Sequence, residues 1–570
     1  MRRIDPVTFQ VIVSSLSGIV REMQSSLFRT GYSTIIRESL DASCAILDRQ
    51  GRLVGQYVNL TIHLGAHPAG LHHLLSRYRY DEIEEGDCFI INHPYYGGSP
   101  HSVDMFVITP VFYDGELVAF CSGLAHKSDI GGTVPGSGSG SATEVFHEGL
   151  LLPPVKYASK GKINKEIEAI LEVNSRTPEL VIGDIRGQMG TDRVGEARVK
   201  TLFEKYGTET VLAASEELYE RTEVRVRHEL SAWPDGEAES EGYLDNDGIV
   251  LDKKVRLHLH TTKRGDSLTF DFSKTDDQTR GPVNICPPLV HATGYFATIA
   301  AIDPYLPCNY GLSKPLKFIL REGSVVNPIV PAPVNCYAAT FAQVESMITD
   351  TLIQLSGKQP IARTGGGGAT VMGWKSTKTG RSFVQYEMCL GGTGAMNGDD
   401  GSKGMGPRNS VGAIRATPIE IIEAEFPCRM TRYAIRPDTG GPGKYRGGLG
   451  TVREYICLEP ASFSMRGDGQ VIAAPGILGA GNGATGALIV NPGTPKEVRL
   501  QARVGGYPLK PGDVLRVEMA GGGGYGNPKE RDRDRVLADL EAGYITPKAA
   551  REVYGLAKSA PKASSPSGRG

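Results

Sequence analysis

Asp104-Met-Phe-Val-Ile-Thr-Pro-Val-Phe-Tyr113, then Asp114-Gly115, then Glu116-Leu-Val-Ala-Phe-Cys-Ser-Gly-Leu-Ala-His126 is the stretch on which the fold of the N-terminal region turns. Runs rich in β-branched and aromatic residues flank a two-residue Asp-Gly link, the pattern of a tight β-hairpin. With Tyr113 opposite Glu116, His126 falls opposite Val103, and His101 becomes its diagonal neighbour on the same face. Strict alternation sends Asp104 to the other face. Its carboxylate joins the two imidazoles only if the strand entry, Ser99-Pro100-His101-Ser102, is bulged or irregular, and Pro100 favours irregularity. Two neutral imidazoles and a carboxylate form a ligand set for Zn²⁺, Mn²⁺ or Fe²⁺ with positions left for water or substrate. The plainer alternative is a polar loop that happens to read His-x-x-Asp.

Eight of the twelve histidines lie between His63 and His147. His63, in Thr61-Ile-His-Leu-Gly65, is a candidate general base near neutral pH. Before the hairpin, Asp5-Pro6 reads as an N-cap and first helical residue, followed by an apolar stripe of Ile12, Leu16, Ile19, Val20 and Met23. Asp41–Asp48 and Arg52–Val58 read as two strands, and Ala69–Leu75 has helical character. After the hairpin, helices are expected from Asn164, from Pro178 to Tyr206 and from Thr208 to Arg227. From Glu241 the period changes to two, giving a β-meander through Lys254–His260 and Ser267–Phe272. Residues 425–526 read as short strands separated by Gly and Pro. The expected organisation is α/β (α+β with mixed sheets): an N-terminal α/β metal-binding region at 1–235, a central β-meander and mixed region at 236–424, a Gly-rich β domain at 425–527, C-terminal helices at 528–556 and a disordered tail at 557–570.

Composition narrows the function classes. A net charge of −2, with no Lys/Arg block, argues against nucleic acid or an anionic membrane surface as partner. No apolar run is long enough to span a bilayer, and no signal-peptide core follows Arg2-Arg3. Nine scattered cysteines without a Cys-x-x-Cys pair argue against disulfides and a thiolate zinc site, and point to reducing cytoplasm. Neither Gly365–Gly368 nor Gly440–Arg446 has P-loop spacing, and no dinucleotide fingerprint follows a strand, so no nucleotide site is expected in this chain. The 72 glycines mark tight turns and close backbone approaches.

Several motifs, in order, resemble the hydantoinase B/oxoprolinase family: Asn92-His-Pro-Tyr-Tyr-Gly-Gly-Ser-Pro-His-Ser-Val-Asp104, His126-Lys-Ser-Asp-Ile-Gly-Gly132, Glu148-Gly-Leu-Leu-Leu-Pro-Pro154, Asn174-Ser-Arg-Thr-Pro178 with Gly183-Asp184, Gly281-Pro-Val-Asn284, Arg436–Gly448 and Gly521–Pro528. The resemblance implies a subunit of an ATP-dependent complex that opens cyclic amides such as hydantoins, 5-oxoproline or lactams, or that carboxylates ketones. It further implies a larger hydantoinase A-like partner that binds ATP and Mg²⁺, in a hetero-oligomer such as a heterotetramer, while the present chain holds the divalent metal. Carried over by motif, the ligands fall on Asp41, His101, Asp104 and His126. His93, Asp129, Glu148 and Asp184 are expected to contact substrate or support the ligands. One position departs from the family's usual Asn-Asp-Pro, because His93 replaces the acidic residue. A non-catalytic assembly subunit with structural histidines is the remaining alternative.

Overall fold

The computed structural model describes residues 4–58, 60–404 and 414–556. The expected tail at 557–570 lies outside the described residues. The N-terminal region is built on a seven-stranded sheet with spatial order β2-β1-β5-β4-β3-β6-β7, comprising β1 (Ala42–Asp48), β2 (Leu53–Gln56), β3 (Cys88–Ile91), β4 (Asp104–Tyr113), β5 (Glu116–His126), β6 (Val155–Ser159) and β7 (Lys162–Ile163). The hairpin β4–β5 lies at its centre. Its turn is formed as expected, with Asp114 at φ 52° and Gly115 at φ 78°, the left-handed pair that an Asp-Gly link accommodates.

Helices cover both faces of this sheet, so its central strands are buried throughout rather than alternately. Helix Pro6–Thr30, capped by the Asp5 carboxylate on the Thr8 amide, lays Ile12, Leu16, Val20 and Met23 against the sheet together with Val199, Leu202 and Phe203 of helix Pro178–Tyr206. On the other face Leu71 and Leu74 of helix Ala66–Arg77 pack on Phe89, Phe106, Ile108 and Phe120. Each fully buried Phe or Leu contributes roughly 1.5–3 kcal/mol. Gly70 is where this helix meets the sheet, since a Cβ there would stand 3.0 Å from the Phe106 ring.

Three further sheets follow. The expected meander is a four-stranded sheet, Gly236–Leu244, Val255–Arg264, Ser267–Asp271 and Leu316–Ile319, backed by helices Pro287–Ile302 and Tyr337–Ser356. A second four-stranded sheet joins Gly368–Lys375 and Ser382–Cys389 to Ala461–Gly467 and Arg503–Leu509. The boundary expected at 424/425 therefore runs through a sheet, because strands on either side of it pair with each other. The remaining sheet has five strands from Cys428 to Glu518. The glycine run Gly521–Gly524 marks backbone packed on backbone, as a Cβ at Gly521 would lie 1.8 Å from the Thr439 carbonyl oxygen. Of the last helices, Arg533–Glu541 is clamped by Arg446, whose Nε donates to Asp539 at 2.9 Å, and Pro547–Glu552 packs on it through Ala550 and Val536. Among the described residues, no helix is long and apolar enough to cross a membrane, and all nine cysteines are free.

Candidate metal centre

The hairpin register differs from the expected one by a single residue, and that difference assembles the site. Tyr113 pairs with Glu116 and Phe112 with Leu117, but Val111 pairs with Ala119, leaving Val118 as a bulge. From there every pair is offset by one, so Asp104, not Val103, stands opposite His126. The irregularity expected at Pro100 is thus supplied next to the turn instead. Both residues then face the side of the sheet covered by helix Ala66–Arg77. His101 reaches the same point from the turn before β4, closed by the Asp104 amide donating to the His101 carbonyl at 3.1 Å.

The Asp104 carboxylate lies between the two imidazoles, 3.2 Å from His101 Nε2 and 3.1 Å from His126 Nδ1. One ligand atom from each of the three residues falls within 4.8 Å of the others, and all three side chains are buried. Burial pushes the Asp104 carboxyl up, but the two imidazoles outweigh it and hold the group well below the usual carboxylate range. Burial pushes His126 down to about 3, against the pull of Asp104. His126 is therefore neutral at ordinary pH.

A chain of hydrogen bonds fixes His101. Asn335 Nδ2 donates to the Ser137 carbonyl, which turns Asn335 Oδ1 toward His101 Nδ1 at 3.0 Å. Arg466 Nη1 also donates to that Oδ1 and lies 3.1 Å from His101 Nδ1. Asn335 Oδ1 can only accept, so when His101 Nδ1 donates to it, Nε2 presents a lone pair toward the Asp104 side. His126 Nε2 is buried without a hydrogen-bond partner. In the metal-free protein the neutral His126 can hold its proton on Nδ1, toward Asp104, and two imidazoles and a carboxylate within such reach are a donor set that suits a divalent cation.

Asp41, immediately before β1, accepts the His126 amide on its carbonyl at 3.2 Å, and its side chain shares a cavity wall with His101 and His126. Its carboxyl is outside the 4.8 Å cluster. Burial, and then the charge of Asp104, raise it well above the usual carboxylate range. The cavity, with about 110 Å³ of water-sized space, is bounded further by Tyr337, Tyr386, Arg466 and the bare backbone of Gly365–Gly368.

The other expected residues lie around this centre rather than in the cavity wall. His63 Nδ1 is 2.8 Å from Ser43 Oγ, which is 2.9 Å from His67 Nε2, and His67 Nδ1 is 2.9 Å from Ser122 Oγ. Burial lowers His63 to about 4, with Asp104 opposing and His101 adding to the shift, so it is a weaker base than one poised near neutral pH. His93 caps the short helix Pro94–Gly97, its Nδ1 accepting the Tyr95 and Tyr96 amides at 3.2 Å each. An aspartate cap would accept the same two amides, so His93 supplies the capping chemistry of the acidic residue it replaces. Asp129 organises its own loop, accepting the amides of Gly131, Gly136 and Arg176. Asp184 anchors the Tyr32 and Ser33 amides. Glu148 Oε1 accepts the Val334 and Asn335 amides at 2.7 and 2.8 Å, and Asn335 in turn lies 3.0 Å from His101 Nδ1.

Asn335, Tyr386 and Arg466 were not among the residues expected from the sequence. Only Arg466 leaves a trace there, as a cation alternating with Ser464 and Ser462 opposite the buried Phe463 and Met465 in strand Ala461–Gly467.

The hydantoinase B/oxoprolinase family model matches residues 5–528. The chain is 34% identical over 575 residues to a protein of Pseudomonas sp. (strain NS671) described as the B component of a D-/L-hydantoinase, covering 98% of this chain and 96% of that one. It is 30% identical to the beta component of the caprolactamase of Pseudomonas jessenii, covering 98% and 97%. The crystal structure of that organism's ATP-dependent caprolactamase superposes with a TM-score of 0.89 over 97% of this chain and 96% of the other, at 27% identity. Acetone carboxylase, in its nucleotide-free structure, superposes with a TM-score of 0.87 over 97% of this chain and 79% of that one; at 18% identity this is a likeness of fold. With a match across nearly the whole chain and relatives of equal length, this chain belongs to the hydantoinase B/oxoprolinase family.

Proposed function

We propose that this chain is the metal-binding catalytic subunit of an ATP-dependent amidohydrolase that opens cyclic amides such as a hydantoin, 5-oxoproline or a lactam, after a separate ATP-binding subunit has phosphorylated the substrate. The observation that carries the reading is the convergence of His101, Asp104 and His126, two of which, His101 and His126, line a cavity, in a chain of this family. His101, Asp104 and His126 would hold the ion, with Asp41 joining them. A divalent ion there acts as a Lewis acid toward a substrate oxygen and makes a water more acidic.

The protein's own groups prepare that chemistry. Asn335 keeps His101 in the tautomer whose Nε2 is free, and Glu148 keeps Asn335 in place. Asp41, which burial and Asp104 dispose to hold a proton, releases it when a cation arrives. The buried walls limit the water that reaches the reacting carbon. In the net reaction two waters are consumed: one is added across the ring C–N bond, so that the carbonyl carbon becomes a carboxylate and the nitrogen is released as an amine (or, for a hydantoin, as a urea nitrogen), and the other is taken up as ATP ends as ADP and phosphate. The hydrolase is favoured over a ketone carboxylase because the hydantoinase and lactamase relatives are 34% and 30% identical over nearly their full length, whereas the carboxylase is 18% identical over 79% of its chain. The test is ring opening of hydantoin, 5-oxoproline and caprolactam with ATP and the co-expressed partner subunit. Turnover of one of these without bicarbonate supports the hydrolase, and turnover that requires bicarbonate and fixes labelled carbon refutes it.

A further inference from the structure

Five arginines of the described chain are buried: Arg446, Arg453, Arg466, Arg503 and Arg531. Four are neutralised by a carboxylate, Arg446 by Asp539 at 2.9 Å, Arg453 by Glu387 at 3.1 Å, Arg503 by Asp468 at 3.0 Å and Arg531 by Asp400 at 2.7 Å. Arg466 differs. Among the described residues no carboxylate lies within ion-pair distance of it, and its partners are the Asn335 carbonyl at 3.2 Å, Asn335 Oδ1, the Tyr386 hydroxyl and the edge of His101. A guanidinium withdrawn from water without a counterion is costly, and buried charges are ordinarily paired.

The position of Arg466 says what is missing. Its side chain forms part of the wall of the cavity that Asp41, His101 and His126 also line. A dication held by the ligand set offsets the charges of Asp41 and Asp104, and the positive charge of Arg466 is then left over. Asp468, the other carboxylate of that wall, is already taken by Arg503. Arg466 Nη1 is engaged by Asn335 and Nη2 by the Tyr386 hydroxyl alone, and Nε is buried without a partner, so the guanidinium keeps unused donor capacity. The Tyr386 hydroxyl, accepting from Arg466, keeps its own hydrogen to donate. Opposite them, Gly366 presents only backbone, because a side chain there would meet the Asp468 carbonyl at 2.2 Å.

We propose that Arg466, together with the Tyr386 hydroxyl, is an oxyanion-binding element of this cavity and supplies the counter-charge for a phosphoryl or carboxylate group of the activated substrate. The inference rests on the proposed function and adds to it a determinant of substrate charge. Guanidinium groups bind such oxyanions through paired N–H donors, and each charge-assisted bond is about twice as strong as a neutral one.

The test is calorimetric titration of inorganic phosphate, acetate and bicarbonate into the full-length, metal-supplemented protein, with metal content measured on the same samples. Wild type, R466Q, R466K and Y386F are compared. The expected result is that wild type binds phosphate, and that in samples brought to equal metal content R466Q weakens it by roughly tenfold or more and Y386F several-fold. Phosphate preferred over acetate and bicarbonate identifies the phosphoryl source, and the reverse order identifies a carboxylate. If R466Q fails to fold, R466K decides, because a lysine point charge cannot serve Asn335, Tyr386 and an oxyanion together. Wild-type phosphate affinity in the arginine variants, no binding of any of the three anions by wild type, or loss of metal from both variants would overturn the inference. A wild type that carries no metal sinks the metal reading by itself, and the dependence of phosphate binding on Arg466 is read independently of it.

Discussion

Replacing Glu148 separates the two duties its position gives it. Its Oε1 accepts two backbone amides at 2.7 and 2.8 Å, while Oε2 is buried without a partner. Burial raises its pKa from 4.5 to about 8, although the Asn335 and Val334 amides and Arg466 pull the other way. The folded protein therefore holds a proton that the unfolded chain has lost between these two values. Stability assignable to Glu148 is fully present below about 4.5 and is lost as pH rises through about 8, a span worth roughly 5 kcal/mol at most. In E148Q the amide oxygen still accepts both N–H groups and nothing titrates, so the stability of the variant relative to wild type should increase steadily from pH 5 to pH 8.5. In E148A both amides lose their acceptor, which costs about 2–5 kcal/mol at every pH, and Asn335 no longer holds His101, which weakens metal binding by about 10–100-fold. Urea unfolding at several pH values and competition with a metal chelator read the two effects. Equal pH slopes in E148Q and wild type, or wild-type metal affinity in E148A, would refute the reasoning.

Below pH 6.5 the metal-free protein should lose stability steeply, because burial lowers His63 to about 4, His126 to about 3 and His67 well below its usual value, so the unfolded chain takes up protons that the folded one refuses. Stability flat from pH 6.5 to 4 after chelation would contradict this. H93D should keep wild-type metal content and stability within roughly 0.5 kcal/mol, while H93A loses about 1 kcal/mol; metal loss in H93D would return His93 to the site. D539A strips Arg446 and Arg531 of a shared carboxylate and should cost about 3–5 kcal/mol, seen as early melting or proteolysis of the C-terminal helices.

Sequence legibility followed the range of the interaction. The Asp5 and Asn164 caps, helix Pro178–Tyr206 and the Asp114-Gly115 turn are local, and each is where local chemistry placed it. The Val118 bulge was not legible. A strand buried on both faces has no polar side to fix its register, so Leu117-Val118-Ala119 reads the same with or without a slip. His101, Asp104 and His126 could be grouped because one hairpin carries them. Asn335 and Arg466 arrive from segments 234 and 365 residues away from His101, and no local spacing encodes such an approach. Glu148 and Asp41 entered through the family resemblance, and the structure gives Glu148 a physical role in holding Asn335. The 424/425 boundary was drawn at a rise in Gly and Pro, but those residues mark backbones packing closely within shared sheets rather than a seam between domains.

The central claim is that His101, Asp104 and His126 hold a divalent metal, and elemental analysis of the purified chain by plasma mass spectrometry, wild type beside H101A, tests it most directly. The account predicts near-stoichiometric Zn, Mn or Fe in wild type and its loss in a folded H101A. A wild type free of metal after metal-supplemented expression, or an H101A variant that retains it, would contradict the account and leave the histidines as structural residues of an assembly protein.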